Sequence, residues 1–186
     1  MMNRRDFVNG TLCAAVFCRT AVSEAAQPRR ILVVYFSKTN HTKNIAETIS
    51  SLTGADTLRV EVVKPYPQEY RPTTEIVKEE LAKGVEREIQ APNVDLAQYD
   101  TIIFGTPTWW HHVAMPLQTW IKAHPFRGKK VATFNTDGGG GTMHTREDFE
   151  KLLSGNTLLP HLTIFGTTND ETTPVSRWLK EIGLLK

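Results

Sequence analysis

From residue 30 onward, short apolar runs alternate with segments whose apolar positions recur every three or four residues, as strands and helices taken in turn would require. Ile31 to Phe36 is a continuous apolar run, which predicts a strand buried on both faces. Thr42 then opens a helix on which Ile45, Ile49 and Leu52 share one face, and Gly54 stands just past its end as a cap. Thr57 to Val63 alternates and predicts a second strand. Pro65, Pro67 and Pro72 predict a loop, and Ile76, Val77, Leu81 and Val85 place a helix over Thr73 to Glu88. Strands follow at Thr101 to Phe104, Val131 to Asn135 and Leu158 to Phe165, the last despite Pro160. Between and after them the spacing predicts helices at Met115 to Ala123, Thr145 to Leu153, and from Thr173 and Pro174 through Ile182. Such alternation argues an α/β fold, an open, mostly parallel sheet with helices on both faces. Ligands in such sheets bind beyond the carboxyl ends of the strands, where strand order reverses.

Three segments at those ends carry candidate chemistry. The first is Ser37, Lys38, Thr39, Asn40, His41 and Thr42, where hydroxyls and unpaired amides meet a helix N-terminus that can hold a phosphate without an arginine cage. Helix capping by Ser37 and Thr42 is the plainer alternative. The second runs Gly105, Thr106, Pro107, Thr108, Trp109, Trp110, His111, His112. Adjacent tryptophans after a buried strand either fold back on the core or wall a planar ligand. The third runs Asn135, Thr136, Asp137, Gly138, Gly139, Gly140, Gly141, Thr142, and its four glycines permit close backbone approach to a flat ligand. Asp137 is read either as a turn former or as a group orienting a polar ligand edge. His111 is a candidate proton donor beside such a ligand, the catalytic role being otherwise unassigned. No metal site is expected from His111, His112 and His144.

Taken together these segments resemble the three cofactor loops of the flavodoxin-like family. Ser37 to Thr42 resembles the phosphate loop, Pro107 to Trp110 with Pro116 following resembles the ring-binding loop, and Thr136 to Gly141 resembles the third. The resemblance extends through Pro65, Tyr66 and Pro67, and its nearest form is the short-chain flavodoxin-like proteins with paired tryptophans in the second loop. It implies a three-layer sandwich around a five-stranded parallel sheet in the order 2-1-3-4-5, FMN as cofactor, and one- or two-electron redox chemistry. The chain departs from the family where Asn40 and His41 stand in place of glycine and asparagine, and where His111 and His112 replace a glycine and a small residue. Asn tolerates the left-handed backbone better than most residues, so the tight turn at Asn40 is expected to survive.

The beginning of the chain has another character. Arg4 and Arg5, followed by Asp6, Phe7 and Val8, resemble a twin-arginine export signal; an apolar stretch from Thr11 to Cys18 follows, and Ser23 and Ala25 precede a plausible cut ahead of Ala26. Residues 1–25 are thus expected to be an export leader, 26–186 the folded domain, and the periplasm the destination. Eight residues are too few for a span, so no stable membrane anchor is expected. Cys13 and Cys18 both lie in the leader, so the mature chain would carry no thiol.

Charge then narrows the function classes. The 186-residue chain has a formal net charge of +2, and removal of the leader leaves 19 basic against 18 acidic residues. No basic stripe marks a nucleic-acid surface. A dedicated electron carrier would show a strongly acidic face, so near-neutrality favours a reductase of small acceptors such as quinones over a protein-docking carrier. Expected partners are a redox protein or a small electron acceptor, with NAD(P)H as a transient donor, since no second nucleotide fingerprint is present. A flavodoxin-fold binding module for a phosphorylated ligand or a protein is the alternative class.

Overall fold

The computed structural model describes residues 30–90, 92–166 and 170–186. The expected leader lies outside the described residues. In chain order the elements are β1 (Ile31–Tyr35), α1 (His41–Thr53), β2 (Asp56–Arg59), β3 (Glu61–Val62), α2 (Tyr70–Lys83), β4 (Ile89–Gln90), a 3-10 turn (Leu96–Gln98), β5 (Thr101–Trp109), β6 (His112–Val113), α3 (Met115–Ala123), β7 (Lys130–Asp137), α4 (Thr145–Leu152), β8 (Thr157–Phe165) and α5 (Thr172–Glu181).

Five strands form the parallel core of the sheet in the order β2-β1-β5-β7-β8, which in terms of the expected strands is 2-1-3-4-5. Alternation along β1 sends Leu32, Val34 and Phe36 to one face and Ile31, Val33 and Tyr35 to the other. The first face packs against Val77 of α2, Leu117, Trp120 and Ile121 of α3, and Phe149 of α4. The second packs against Ile45 and Ile49 of α1 and Val175, Trp178 and Leu179 of α5. Both faces of the central strands are therefore dry, which is why they read as unbroken apolar runs. Among the described residues no helix is long and apolar enough to cross a membrane.

Several boundaries differ from the sequence expectation, each for a local reason. Helix α2 runs from 70 to 83 rather than 73 to 88: Pro72 sits in its first turn, where a missing N–H costs nothing, and Gly84 at φ 61° ends it. The expected second strand is two pieces, because β3 leaves the main sheet to pair antiparallel with β4. Strand β5 continues through Trp109 instead of ending at Phe104, and β7 continues through Asp137. The second candidate segment is therefore mostly strand, closed by a hairpin with β6, and the third loop begins at Gly138. On the outer strand β8, the register with β7 shifts by one extra residue around Pro160, a bulge that lets a proline sit in an edge strand.

Gly105, in the middle of β5, is needed for packing. A Cβ there would lie 2.2 Å from the Phe134 ring on β7, so only glycine lets these strands and that ring fit together.

Candidate functional site

The site is assembled where β1, β5 and β7 end, and hydrogen bonds tie its three segments together. Thr42, at the start of α1, shares a 2.8 Å hydroxyl contact with Thr136 at the end of β7, both buried. The Phe36 N–H donates to the Gly105 carbonyl at 3.1 Å, joining the exit of β1 to β5. The amide of Asn135 donates to Thr108 Oγ1 at 2.7 Å and to the Gly141 carbonyl at 3.3 Å, stitching the second segment to the third. The sequence-derived candidates are thus brought to one edge of the sheet.

In the first segment, Asn40 adopts φ 68°, the left-handed turn expected of it, and directly precedes α1. Its side chain makes no capping bond, and the first turn of α1 holds no acidic residue. Thr42 spends its hydroxyl on Thr136 rather than on the helix end, so the capping alternative does not describe it. Ser37 is 2% exposed, and its Oγ has no partner among the described residues. A buried hydroxyl with nothing to bond is costly, so an unpaired Ser37 Oγ in the segment that leads into the uncapped start of α1 suits an anionic oxygen arriving from outside the chain. The lysines hold other places: Lys38 Nζ donates to the Gln68 carbonyl at 3.0 Å, and Lys43 pairs with Glu47 at 2.6 Å. Arg59 donates to the Ser37 carbonyl at 2.9 Å and holds the segment from below. Thr39 is exposed and His41 half-buried.

The second segment ends in a two-residue hairpin in which Trp109 faces His112 and the corner is Trp110 and His111. Both corner residues have positive φ, 47° and 72°, the combination of a type I′ turn, usually built from Asn and Gly. Two non-glycine residues held this way store strain of the kind that gathers at binding sites. The His144 N–H, donating to the His111 carbonyl at 2.9 Å, fastens the corner to the start of α4. Trp109 is half-buried, edge-on to Phe36 (5.3 Å between centroids) and to Tyr66 (4.9 Å). Trp110 is 43% exposed and turned onto α2, where its Nε1–H donates to the Thr74 carbonyl at 2.8 Å and Lys78 lies 5.4 Å above its ring. The structure thus gives the two tryptophans different surroundings. The His111 side chain is exposed; it is His112 whose Nδ1 meets a carboxylate, Asp148 at 2.9 Å, with the His144 ring stacked at 5.3 Å.

In the third segment, Asp137 accepts from the Gly141 N–H, so its turn-forming role is the one its contacts express. Gly138, Gly139 and Gly140 are exposed, and nothing stands within 4 Å of where a side chain would begin at Gly138 or Gly139. At Gly140 a Cβ would lie 2.6 Å from the terminal methyl of the flexible Met143 side chain, which can swing aside, so packing does not demand a glycine there.

A polar layer below this loop was not anticipated. His161 on β8 contacts Thr133 Oγ1 at 2.7 Å through Nδ1 and Asn135 Oδ1 at 2.8 Å through Nε2. Thr163 donates to the same Asn135 oxygen at 2.8 Å and meets Thr142 at 2.8 Å. Burial, with the charge of Arg146 adding to it, lowers the His161 pKa to about 4, so the ring is neutral at pH 7. The sequence did carry a signal: Thr133 and Asn135 are polar at alternate positions of a dry strand, and His161 and Thr163 repeat that spacing on the next, in register. A cavity of about 470 Å³, lined by Thr142, Met143, Arg146, Glu147, Glu150 and His161, lies on the outer side of this layer.

A flavodoxin family model matches residues 30–182. The chain belongs to the flavodoxin family. Among solved structures, this flavodoxin-family chain is similar to a Lactobacillus acidophilus flavoprotein crystallised in complex with FMN, at 24% identity and TM-score 0.68 over 81% of this chain and 98% of that one. It is also similar to a Bacteroides uniformis protein assigned as a flavoprotein, at 22% identity and TM-score 0.73, covering 83% and 99% of the two chains. Flavodoxin 2 of Bacillus cereus aligns at 21% identity and TM-score 0.55, covering 82% and 97%. At these identities the structural likenesses speak for the fold, in agreement with the β2-β1-β5-β7-β8 order.

Proposed function

We propose that this protein binds FMN across its three strand-end segments and works in the periplasm as an oxidoreductase of small acceptors such as quinones. The observation that carries the reading is the buried, unpartnered Ser37 Oγ in the segment that leads into the uncapped N-terminus of α1, with the Trp109 hairpin and the glycine loop fastened alongside. The phosphate of FMN fits the first place, held by Ser37 and the helix amides. The ring system fits between the second and third segments, with Pro107, Thr108 and Trp109 on one side and the backbone of Gly138 to Gly141 on the other. FMN, when bound, supplies one- or two-electron redox chemistry, and the chain supplies position, exclusion of water and hydrogen bonds. Family membership and the FMN in the L. acidophilus complex support the choice of cofactor.

A purely binding role drew its support from Asn40 and His41. Asn40 makes the left-handed turn that a glycine would make, which leaves His41 as the departure on which that alternative rests. The preference for small acceptors rests on the near-neutral mature charge, and the periplasmic setting on the resemblance of residues 1–25 to an export leader. The test is reoxidation of the chemically reduced, FMN-loaded protein. Faster reaction with a water-soluble benzoquinone than with a basic redox protein at equal concentration is expected; the opposite order would overturn the small-acceptor assignment.

A further inference from the structure

The polar layer beneath the glycine loop leads to a definite hydrogen-bond polarity at Thr108. The Gly141 carbonyl can only accept, so the Asn135 group facing it is the amide nitrogen, and that same nitrogen donates to Thr108 Oγ1. The Asn135 oxygen then points the other way and accepts from Thr163 and from His161 Nε2–H. His161 must therefore carry its proton on Nε2 and accept from Thr133 through Nδ1. A histidine with the other tautomer, or an apolar residue, would leave the Asn135 oxygen with Thr163 as its one donor and hold the amide less firmly in this orientation. Because Thr108 Oγ1 already accepts from Asn135, its own O–H is left to donate, and it has no acceptor among the described residues. Thr108 lies at the end of β5, next to the hairpin corner and bridged by Asn135 to the glycine loop, on the border of the proposed ring site.

We propose that His161 is a positioning residue which, through Asn135, fixes the Thr108 hydroxyl as a hydrogen-bond donor to the polar edge of the flavin ring. The inference rests on the FMN reading above and adds to it a chain of command from an edge strand, β8, to the cofactor. A donor aimed at that edge favours the electron-rich, reduced form of the ring over the oxidised form. Removing it therefore lowers the midpoint potential of the bound flavin, an effect that general loosening of the fold has no reason to mimic. His161 never touches the ligand; its influence reaches the flavin only while Thr108 is there to transmit it.

The test uses the full chain with four variants: Thr108→Val, His161→Leu, the double variant, and His161→Gln, whose terminal amide can again donate to Asn135. In the apo protein, ¹⁵N shifts of His161 are expected to report a protonated Nε2 and a bare Nδ1. With FMN bound, Thr108→Val is expected to lower the midpoint potential and weaken binding about fivefold, the loss of one neutral hydrogen bond. His161→Leu should produce the same shift, the double variant no further shift, and His161→Gln should restore the wild-type potential. Additive shifts in the double variant, an unmoved potential in Thr108→Val, or an Nδ1-protonated His161 would each overturn the relay while leaving FMN binding intact. A wild-type protein that takes no FMN would overturn the relay and the cofactor reading together. Should His161→Leu fail to fold, His161→Met, which fills the same space without a donor, takes its place: the same fall in potential is expected, and an unmoved potential would overturn the relay.

Discussion

Trp109 and Trp110 are neighbours in sequence with opposite fates. Trp109 is wedged edge-on between Phe36 and Tyr66 on the side of the hairpin nearer β1, while Trp110 spends its indole N–H on the carbonyl of Thr74 and its face on Lys78. A ring that already has partners on a helix has less to offer a ligand. Trp109→Ala is accordingly expected to weaken FMN binding more than Trp110→Ala, measured by fluorescence titration; equal losses would mean that both indoles serve the flavin. His161 gives a second residue-level expectation. Its pKa is lowered from 6.5 to about 4 in the fold, so between these values the unfolded chain binds a proton that the native chain refuses. Stability then rises with pH across that window and falls as pH drops from 6.5 toward 4, by up to about 3 kcal/mol. Urea melts of wild type and His161→Gln from pH 4 to 7 should show the steeper slope in the wild type; parallel curves would contradict a neutral, buried His161.

At the scale of elements, the β5–β6 hairpin is the part built against its own local preferences. Trp110 and His111 occupy φ 47° and 72°, positions that glycine or asparagine would fill without strain. The corner is held from outside, by the His144 N–H on the His111 carbonyl and by Asp148 accepting from the Val113 N–H at 3.1 Å while contacting His112. Since the His111 contact to α4 is made by backbone, His111→Gly keeps it and relieves the strain. The variant is expected to be more stable by about 1 kcal/mol in thermal melts. A less stable variant would show that the His111 side chain, exposed as it is, contributes more than its backbone conformation costs. The opposite case is Gly105, where the 2.2 Å approach of the Phe134 ring leaves no space for a methyl group. Gly105→Ala is expected to cost about 1–3 kcal/mol by overpacking, read as a lowered Tm.

For the molecule as a whole, the sequence carried the architecture well and the edges of elements poorly. Apolar runs such as Ile31 to Phe36 and the spacing of Ile45, Ile49 and Leu52 were enough to give an α/β sheet in the order found, because burial on both faces writes itself into composition. The places where the chain leaves its strands were harder to see. Pro107 and Asp137 read as loop residues, yet both lie in strands because their neighbours pair across the sheet, and no local preference records that. Asn135 reads as the point where a strand meets the glycine-rich segment and His161 as an ordinary strand residue, since the register between β7 and β8 that joins them appears only in the folded sheet. Asp148 was likewise hidden, its partner His112 being 36 residues away. The three candidate segments stand out in the sequence because each is local, a short run of unusual residues at a strand end. What binds them into one site, Thr42 with Thr136 and Asn135 with Thr108 and Gly141, is long-range and was not.

The central claim is that these segments form one site for a flat ring with a phosphate tail. Calorimetric titration of the purified protein with FMN and with riboflavin, repeated on Ser37→Ala, tests it most directly. One FMN per chain is expected, with much weaker binding of riboflavin, and with Ser37→Ala losing affinity for FMN but not for riboflavin. No binding of FMN, or equal affinity for the two ligands, would contradict a phosphate site at Ser37 and the N-terminus of α1.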